Sequence, residues 1–138
     1  MCGGVQYKFD GATIKIYFPN PKARLPIRQK TGELVLVPWG RRKEQEGEFP
    51  LGGWARLDSI EKGVWDKHFP KPVKIIVDSF MEKDSNRKSH WYDMKASFFI
   101  QGLLVQHKLE QRVYVVTVNA EENAVHDRWP RIMPDLKM

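Results

Sequence analysis

The residue with the most distinctive chemistry is the second one in the chain. Cys2 follows Met1 and precedes Gly3, and a small residue at this position favours removal of the initiator methionine. Removal would leave an α-amine and a thiol on one residue, and both ionise close enough to neutral pH to act as nucleophiles. Such a 1,2-aminothiol takes up an aldehyde as a Schiff base, which the thiol closes to a five-membered thiazolidine. The alternative interpretation is a frayed terminus or a small buried hydrophobe.

Metal and disulfide chemistry is not predicted. Cys2 is the single cysteine, so neither an internal disulfide nor a cysteine-rich zinc site can form. No two of the four histidines have the helical spacing of metal ligands, because they are spread along the chain at His68, His90, His107 and His126. We therefore expect neither a metal nor another cofactor.

The charge of the chain suits a polyanionic partner. Lysine and arginine number 23 against 17 aspartates and glutamates, a net charge of +6. Nucleic acid is the first candidate, although many basic proteins bind no anion. No stretch approaches the roughly 20 apolar residues that cross a bilayer, and the start does not resemble a signal peptide. We expect a cytoplasmic monomer, associated with the nucleoid when bound to DNA.

Hydrophobic alternation predicts mostly strands in a single domain over residues 1–138. Residues 4–18 are typical of a hairpin with a turn at Asp10-Gly11. Further strands are predicted at 33–38, 73–77, 97–105 (interrupted at Gly102) and 113–118, and a helix is predicted at 56–68. The strand at 113–118 is apolar on both faces, which favours a central position.

The remaining segments are predicted to be irregular. One is a basic loop that is marked by Pro19, Pro21 and Pro26 and carries Lys22, Arg24, Arg28 and Lys30. Another is the charged segment 83–95, and the chain after Asn119 is predicted to be loop or a short helical turn. Together these elements predict an α+β fold of mainly antiparallel sheet, forming a partly closed barrel with few helices.

Five segments resemble one known family in their order along the chain. They are Met1-Cys2-Gly3, Val37-Pro38-Trp39-Gly40, Ala55-Arg56, Asp78-Ser79-Phe80-Met81-Glu82 and Val125-His126-Asp127-Arg128-Trp129-Pro130. The set resembles the SRAP family, the SOS response-associated peptidase-like proteins, whose members sense abasic sites in single-stranded DNA. The resemblance extends from residue 2 to residue 133.

The resemblance implies a role for each matching residue. Cys2 is the nucleophile that crosslinks to the aldehyde, and Glu82 is the acid/base that assists ring closure or reversal. His126 polarises the sugar hydroxyl or shuttles a proton. Arg56 and Arg128 hold phosphates, which arginine forks fit well. Trp39 offers a face on which an unpaired base stacks.

Two positions depart from the family pattern. Trp54 replaces an asparagine, and an indole has one N–H donor and no acceptor, so it can stack or fill space but cannot copy an amide. Gly4 replaces an arginine and removes one phosphate contact, for which Arg41 and Arg42 could compensate.

Two other functions stay open at this point. One is hydrolysis with Cys2 as an amino-terminal nucleophile, limited to removal of Met1. The other is a non-catalytic module that binds single-stranded nucleic acid. In that case Glu82 could pair with Lys83 or Arg87, and Trp39 could belong to the core.

Overall fold

A computed structural model describes residues 3–119 and 128–136 of the chain. Within these ranges it has twelve strands, one α-helix (α1, Leu57–Glu61) and one 3₁₀ turn (Asp66–His68). In chain order the strands are β1 (Gly4–Phe9), β2 (Ala12–Tyr17), β3 (Arg24–Arg28), β4 (Leu34–Pro38), β5 (Trp54–Arg56), β6 (Lys71–Ile75), β7 (Ser79–Lys83), β8 (Ser89–Asp93), β9 (Phe98–His107), β10 (Glu110–Asn119), β11 (Arg128–Pro130) and β12 (Ile132–Pro134).

The predicted α+β class is wrong, because the described chain is mainly β and contains little helix. The predicted partly closed barrel is also wrong, since the strands form two separate sheets. One residue pair, Trp39 with Val113, ties the end of β4 to β10, but it does not continue as a ladder. None of the helices in the described ranges is long and apolar enough to cross a membrane.

The smaller sheet has the strand order β2-β1-β7-β8. Its first two strands are the hairpin predicted at 4–18, which is confirmed with Gly4 opposite Tyr17. Asp10 and Gly11 both have positive φ, the turn geometry that matches the twist of two paired strands. Strand β7 then pairs with the other edge of β1, so β1 is one of the two middle strands of this sheet.

The larger sheet has the main order β11-β10-β9-β6-β3-β4, with β12 on β9 and β5 on β10. The predicted central position of 113–118 is confirmed, because β10 pairs with β9, β11 and β5. Strand β9 runs through Gly102 without interruption. A Cβ there would lie 2.8 Å from Cδ1 of Ile75, so the glycine admits a close neighbour rather than ending the strand.

The helix predicted at 56–68 forms only at its start. Gly63 takes a positive φ directly after the C-cap Lys62 and ends it. Val64, which lies seven residues after Leu57 at a spacing typical of one helix face, is 60% exposed. Trp65 is the buried residue of this segment, with its ring centroid 5.0 Å from that of Tyr114.

Two predicted loops are strands. The basic segment after Pro19 contains β3, in which Pro26 pairs with Leu36 of β4. The segment 83–95 contains β8, which pairs with β7 along five residues. The chain after Asn119 was predicted to be loop or a short helical turn, which is wrong for residues 128–134, because they contain β11 and β12. Residues 120–127 lie outside the described part.

Apolar residues of both sheets meet in one main core. It includes Val5, Tyr7, Leu25, Ile27, Trp39, Ile75, Phe80, Ile100, Val113 and Val115. A second cluster lies on the other side of β9 and β10, beneath α1, and contains Phe49, Ala55, Trp65, Leu103, Val105, Tyr114 and Val116. The smaller sheet thus covers the main core with one face and presents its other face to solvent.

Candidate functional site

A groove of about 480 Å³ lies where the described chain begins. Gly3 extends the ladder of β1 on both sides, because its N–H donates to Met81 O at 2.9 Å and its carbonyl accepts from Phe18 N at 3.0 Å. The groove is lined by Gly3, Tyr17, Phe18, Pro19, Trp54, Met81, Lys83 and Ser89. It therefore combines aromatic walls, one exposed lysine and the segment that leads to Cys2.

Glu82 lies on β7 between two of these lining residues. Its side chain alternates with those of Met81 and Lys83, which places it on the same side as Phe80 in the main core. It is 0% exposed, and burial raises the pKa of its carboxyl above the ordinary value. A carboxyl in this state keeps its proton nearer to neutral pH, which suits a general acid or base.

Cys2 and His126, the other two predicted catalytic residues, lie outside the described residues. Gly3, which follows Cys2, and Trp129, three residues after His126, both contact residues of β7. The backbone N–H of Gly3 donates a hydrogen bond to the Met81 carbonyl. The ring centroid of Trp129 on β11 is 5.1 Å from that of Phe80. The described segments next to Cys2 and His126 thus meet on the strand that carries Glu82.

Trp54 forms a wall of the groove. Its ring centroid is 4.8 Å from that of Phe18 and 6.3 Å from that of Trp39. The parallel pairing of β5 with β10, with Trp54 opposite Val115, sets this position. Since the indole is half-buried and lines the groove, part of its surface is open to a ligand there.

Trp39 does not have the accessible face that was predicted for it. The side chain is 0% exposed, and its Nε1–H donates to Gly53 O at 2.9 Å. Phe18 packs against the ring edge-on, with centroids 5.4 Å apart. Trp39 is therefore a core residue in this structure, and Trp54 is the tryptophan that a base could reach.

We expect Trp39→Phe to lower stability without changing the affinity for DNA. The substitution removes the indole hydrogen bond and leaves a small void, which together cost roughly 1–3 kcal/mol. Denaturant unfolding and fluorescence anisotropy with a single-stranded oligonucleotide measure the two effects separately. A clear loss of affinity in a variant that is still folded would return Trp39 to the binding surface.

The guanidinium groups of Arg41 and Arg42, the residues that could compensate for Gly4, both donate to backbone carbonyls of the protein. Arg42 is buried, donates to the carbonyls of Phe18 and Trp39, and lies 4.0 Å over the Phe18 ring. Burial, with help from nearby Arg112, lowers the pKa of Arg42 to about 10. Arg41 donates to the Gln45 carbonyl at 2.9 Å. These two arginines hold the loop that follows Trp39.

Arg56 and Arg128 both lie on strands that pair with the end of β10. Arg56, at the end of β5, is the register partner of Thr117 on β10. Its side chain is exposed and pairs with Asp58 at 3.1 Å. Arg128 donates to the carbonyl and the hydroxyl of Thr117, each at 2.9 Å. Both arginines thus lie on strands that pair with β10 near Thr117, and phosphate binding by them stays a prediction.

Sequence reasoning did not identify Tyr17, Phe18 and Lys83 as lining residues. Strand alternation could have placed Tyr17 and Lys15 on one face of β2, but nothing in the sequence predicts that β7 lies beside β1. No group of three histidine, cysteine, aspartate or glutamate residues in the described ranges is arranged to hold a metal ion.

The likeness of this chain to known proteins lies in its fold. No protein-family model matches it, and no curated protein is similar to it in sequence. Among solved structures, it is similar to a phage-related protein from Bordetella bronchiseptica, with a TM-score of 0.68 at 19% identity. The match covers 97% of this chain and 78% of that one. At this identity the likeness concerns the fold alone.

Proposed function

We propose that this protein binds single-stranded DNA and captures abasic sites covalently through Cys2, as an SRAP-like protein of the DNA damage response. The observation that carries the proposal is the position of Gly3. Gly3, which follows Cys2, lines a groove. Its N–H forms a hydrogen bond with Met81 on β7, the strand that carries the buried Glu82.

The proposed capture needs no oxidant or reductant. After removal of Met1, the amine of Cys2 adds to the C1′ aldehyde of the abasic sugar, and loss of water gives an imine. The thiolate adds to the imine carbon, and the nitrogen takes up a proton. One C–N and one C–S bond replace the two carbonyl bonds, and the carbonyl oxygen leaves as water.

We assign the proton transfers of this sequence to Glu82, whose carboxyl lies on the face of β7 opposite to the groove residues Met81 and Lys83. Water leaves the first adduct only after its hydroxyl is protonated, and the thiol must lose a proton before it attacks. A buried carboxyl with a raised pKa can give a proton in the first step and take one in the second. In this proposal His126 acts on the sugar hydroxyl, as the family resemblance implies.

The groove suits an unpaired strand better than a duplex. Trp54 offers an indole to an exposed base, and stacking on aromatic side chains is tolerant of sequence. Lys83 is exposed at the rim and carries the charge that a phosphate needs. Arg56 and Arg128 provide further positive charge at the end of β10.

The experiment uses protein whose loss of Met1 has been verified by mass spectrometry. It is mixed with a single-stranded oligonucleotide that carries one abasic site, and the products are separated on a denaturing gel. Two matched oligonucleotides serve as controls: the intact sequence, and the abasic sequence reduced with borohydride so that the aldehyde is an alcohol. We expect a shifted band with the abasic strand only.

A binding module without covalent chemistry is the second candidate. Trp54 favours it, because its indole stands in the groove wall where the SRAP pattern has an amide. This alternative predicts equal, salt-dependent binding of all three oligonucleotides and no band that survives denaturation. Absence of the band with verified, processed protein would overturn covalent capture and leave this candidate.

A further inference from the structure

The solvent-facing side of the smaller sheet carries an aromatic pair next to the groove. Tyr17, Gly4, Met81 and Trp91 are register partners in one row across β2, β1, β7 and β8. Tyr17 and Trp91 meet above the two middle strands, with ring centroids 6.2 Å apart and planes at 77°. Tyr17 also lines the groove, so this row continues the groove onto the open face of the sheet.

Gly4 makes this arrangement possible. A Cβ at this position would lie 2.9 Å from Cδ1 of Tyr17, closer than side chains approach each other. Any larger residue would therefore push the Tyr17 ring off the row. The position at which the SRAP pattern carries an arginine is thus covered in this protein by an aromatic ring.

The same face is basic. Lys15 holds its Nζ 4.6 Å from the centroid of the Trp91 ring. Lys8 and Lys83 are exposed, and strand alternation places them on this side too. Asp93 is the one acidic residue that alternation places on this side of the four strands. A ligand on this face would meet three lysines, one aspartate and two accessible aromatic rings.

We propose that Lys15, Tyr17 and Trp91 form a stacking platform for the part of a single-stranded DNA ligand that extends beyond the groove. The proposal rests on the proposed function for its ligand but not for the covalent step. Aromatic faces bind unpaired bases, and the interleaved lysines bind the phosphates between them. A base that stacks on Trp91 displaces Lys15, whose ammonium group then reaches the adjoining phosphate.

The test uses the Cys2→Ala protein, so that only non-covalent binding is measured. Fluorescence anisotropy gives the Kd for labelled oligothymidylates of about 4 and about 12 nucleotides, lengths chosen around the site size of one small domain. We expect Trp91→Ala to raise the Kd of the long strand roughly tenfold and to change that of the short strand less. Lys15→Gln should lower the slope of log Kd against log salt by about 0.7.

Lys30→Gln is the matched control. Lys30 lines a second basic groove, of about 700 Å³, on the larger sheet, so this variant removes the same charge elsewhere. It should leave Kd and salt slope unchanged. If Trp91→Ala does not fold, Trp91→Phe replaces it, and DNA should then quench less tryptophan fluorescence than in the parent protein.

Unchanged Kd, salt slope and quenching in the Trp91 and Lys15 variants would overturn the platform, as would an equal loss of affinity in Lys30→Gln. The covalent proposal fails separately. If the platform variants weaken binding but processed wild-type protein forms no adduct, only the capture chemistry is wrong. If adducts form and the platform variants bind normally, only the platform is wrong.

Discussion

Replacement of Cys2 by alanine is expected to abolish the adduct that survives denaturation, whereas non-covalent binding of single-stranded DNA is retained. The amine that remains can still form an imine with the abasic aldehyde, but imines hydrolyse readily, and no thiol is present to close the ring. We expect the shifted band on a denaturing gel to fall below detection. Anisotropy on the same protein checks that binding persists.

Cys2→Ser is the matched control, because it keeps a nucleophilic heteroatom of similar size. It should also give no lasting adduct, since a hydroxyl closes a less stable ring than a thiol does. Borohydride added during the reaction should trap the imine in wild type, Cys2→Ala and Cys2→Ser alike. A stable adduct in Cys2→Ala without borohydride would rule out the thiazolidine and point to another nucleophile.

Glu82→Gln is expected to slow adduct formation by about 10²- to 10⁴-fold, the range for loss of a positioned acid/base group. The amide has nearly the same shape as the carboxyl but cannot transfer a proton, so binding should be unchanged. A quenched time course on denaturing gels measures the rate, and anisotropy measures the binding. An unchanged rate would remove Glu82 from the proposed mechanism.

The pH dependence of stability gives an independent readout for Glu82. Because burial raises the pKa of its carboxyl in the folded protein above the ordinary value of 4.5, folding favours the protonated form. This contribution to stability is complete below pH 4.5 and is lost as the pH rises through the folded pKa. Wild type should therefore lose stability relative to Glu82→Gln as the pH rises above 4.5, and thermal unfolding of both proteins across a pH series measures the difference.

The strands with a clear two-residue period could be predicted from the sequence. In the hairpin at 4–18, one apolar face and an Asp-Gly turn determine the structure almost locally. The segment at 113–118 is apolar on both faces, which is typical of a strand whose two faces are both buried. In the structure the two faces belong to two different apolar clusters. These predictions depend on local pattern, and the structure confirms them.

The sequence could not show that the predicted α+β class and barrel are wrong, because tertiary strand pairing decides both. The spacing of Leu57, Ile60 and Val64 is helical, yet Gly63 ends the helix and Trp65 takes the buried place. Strand β8 lies in a charged segment and is a strand because it pairs with β7. Tyr92 of β8 stacks against Phe80 of β7, with ring centroids 5.5 Å apart.

The sequence by itself determined the chemistry that is available: the thiol of Cys2, the carboxyl of Glu82 and an excess of basic residues. It could not determine which of them reach a ligand. Trp39 and Trp54 each stand beside a glycine, and only packing shows that the first is core and the second lines the groove. The row from Tyr17 to Trp91 arises from strand register, a long-range property that no local pattern contains.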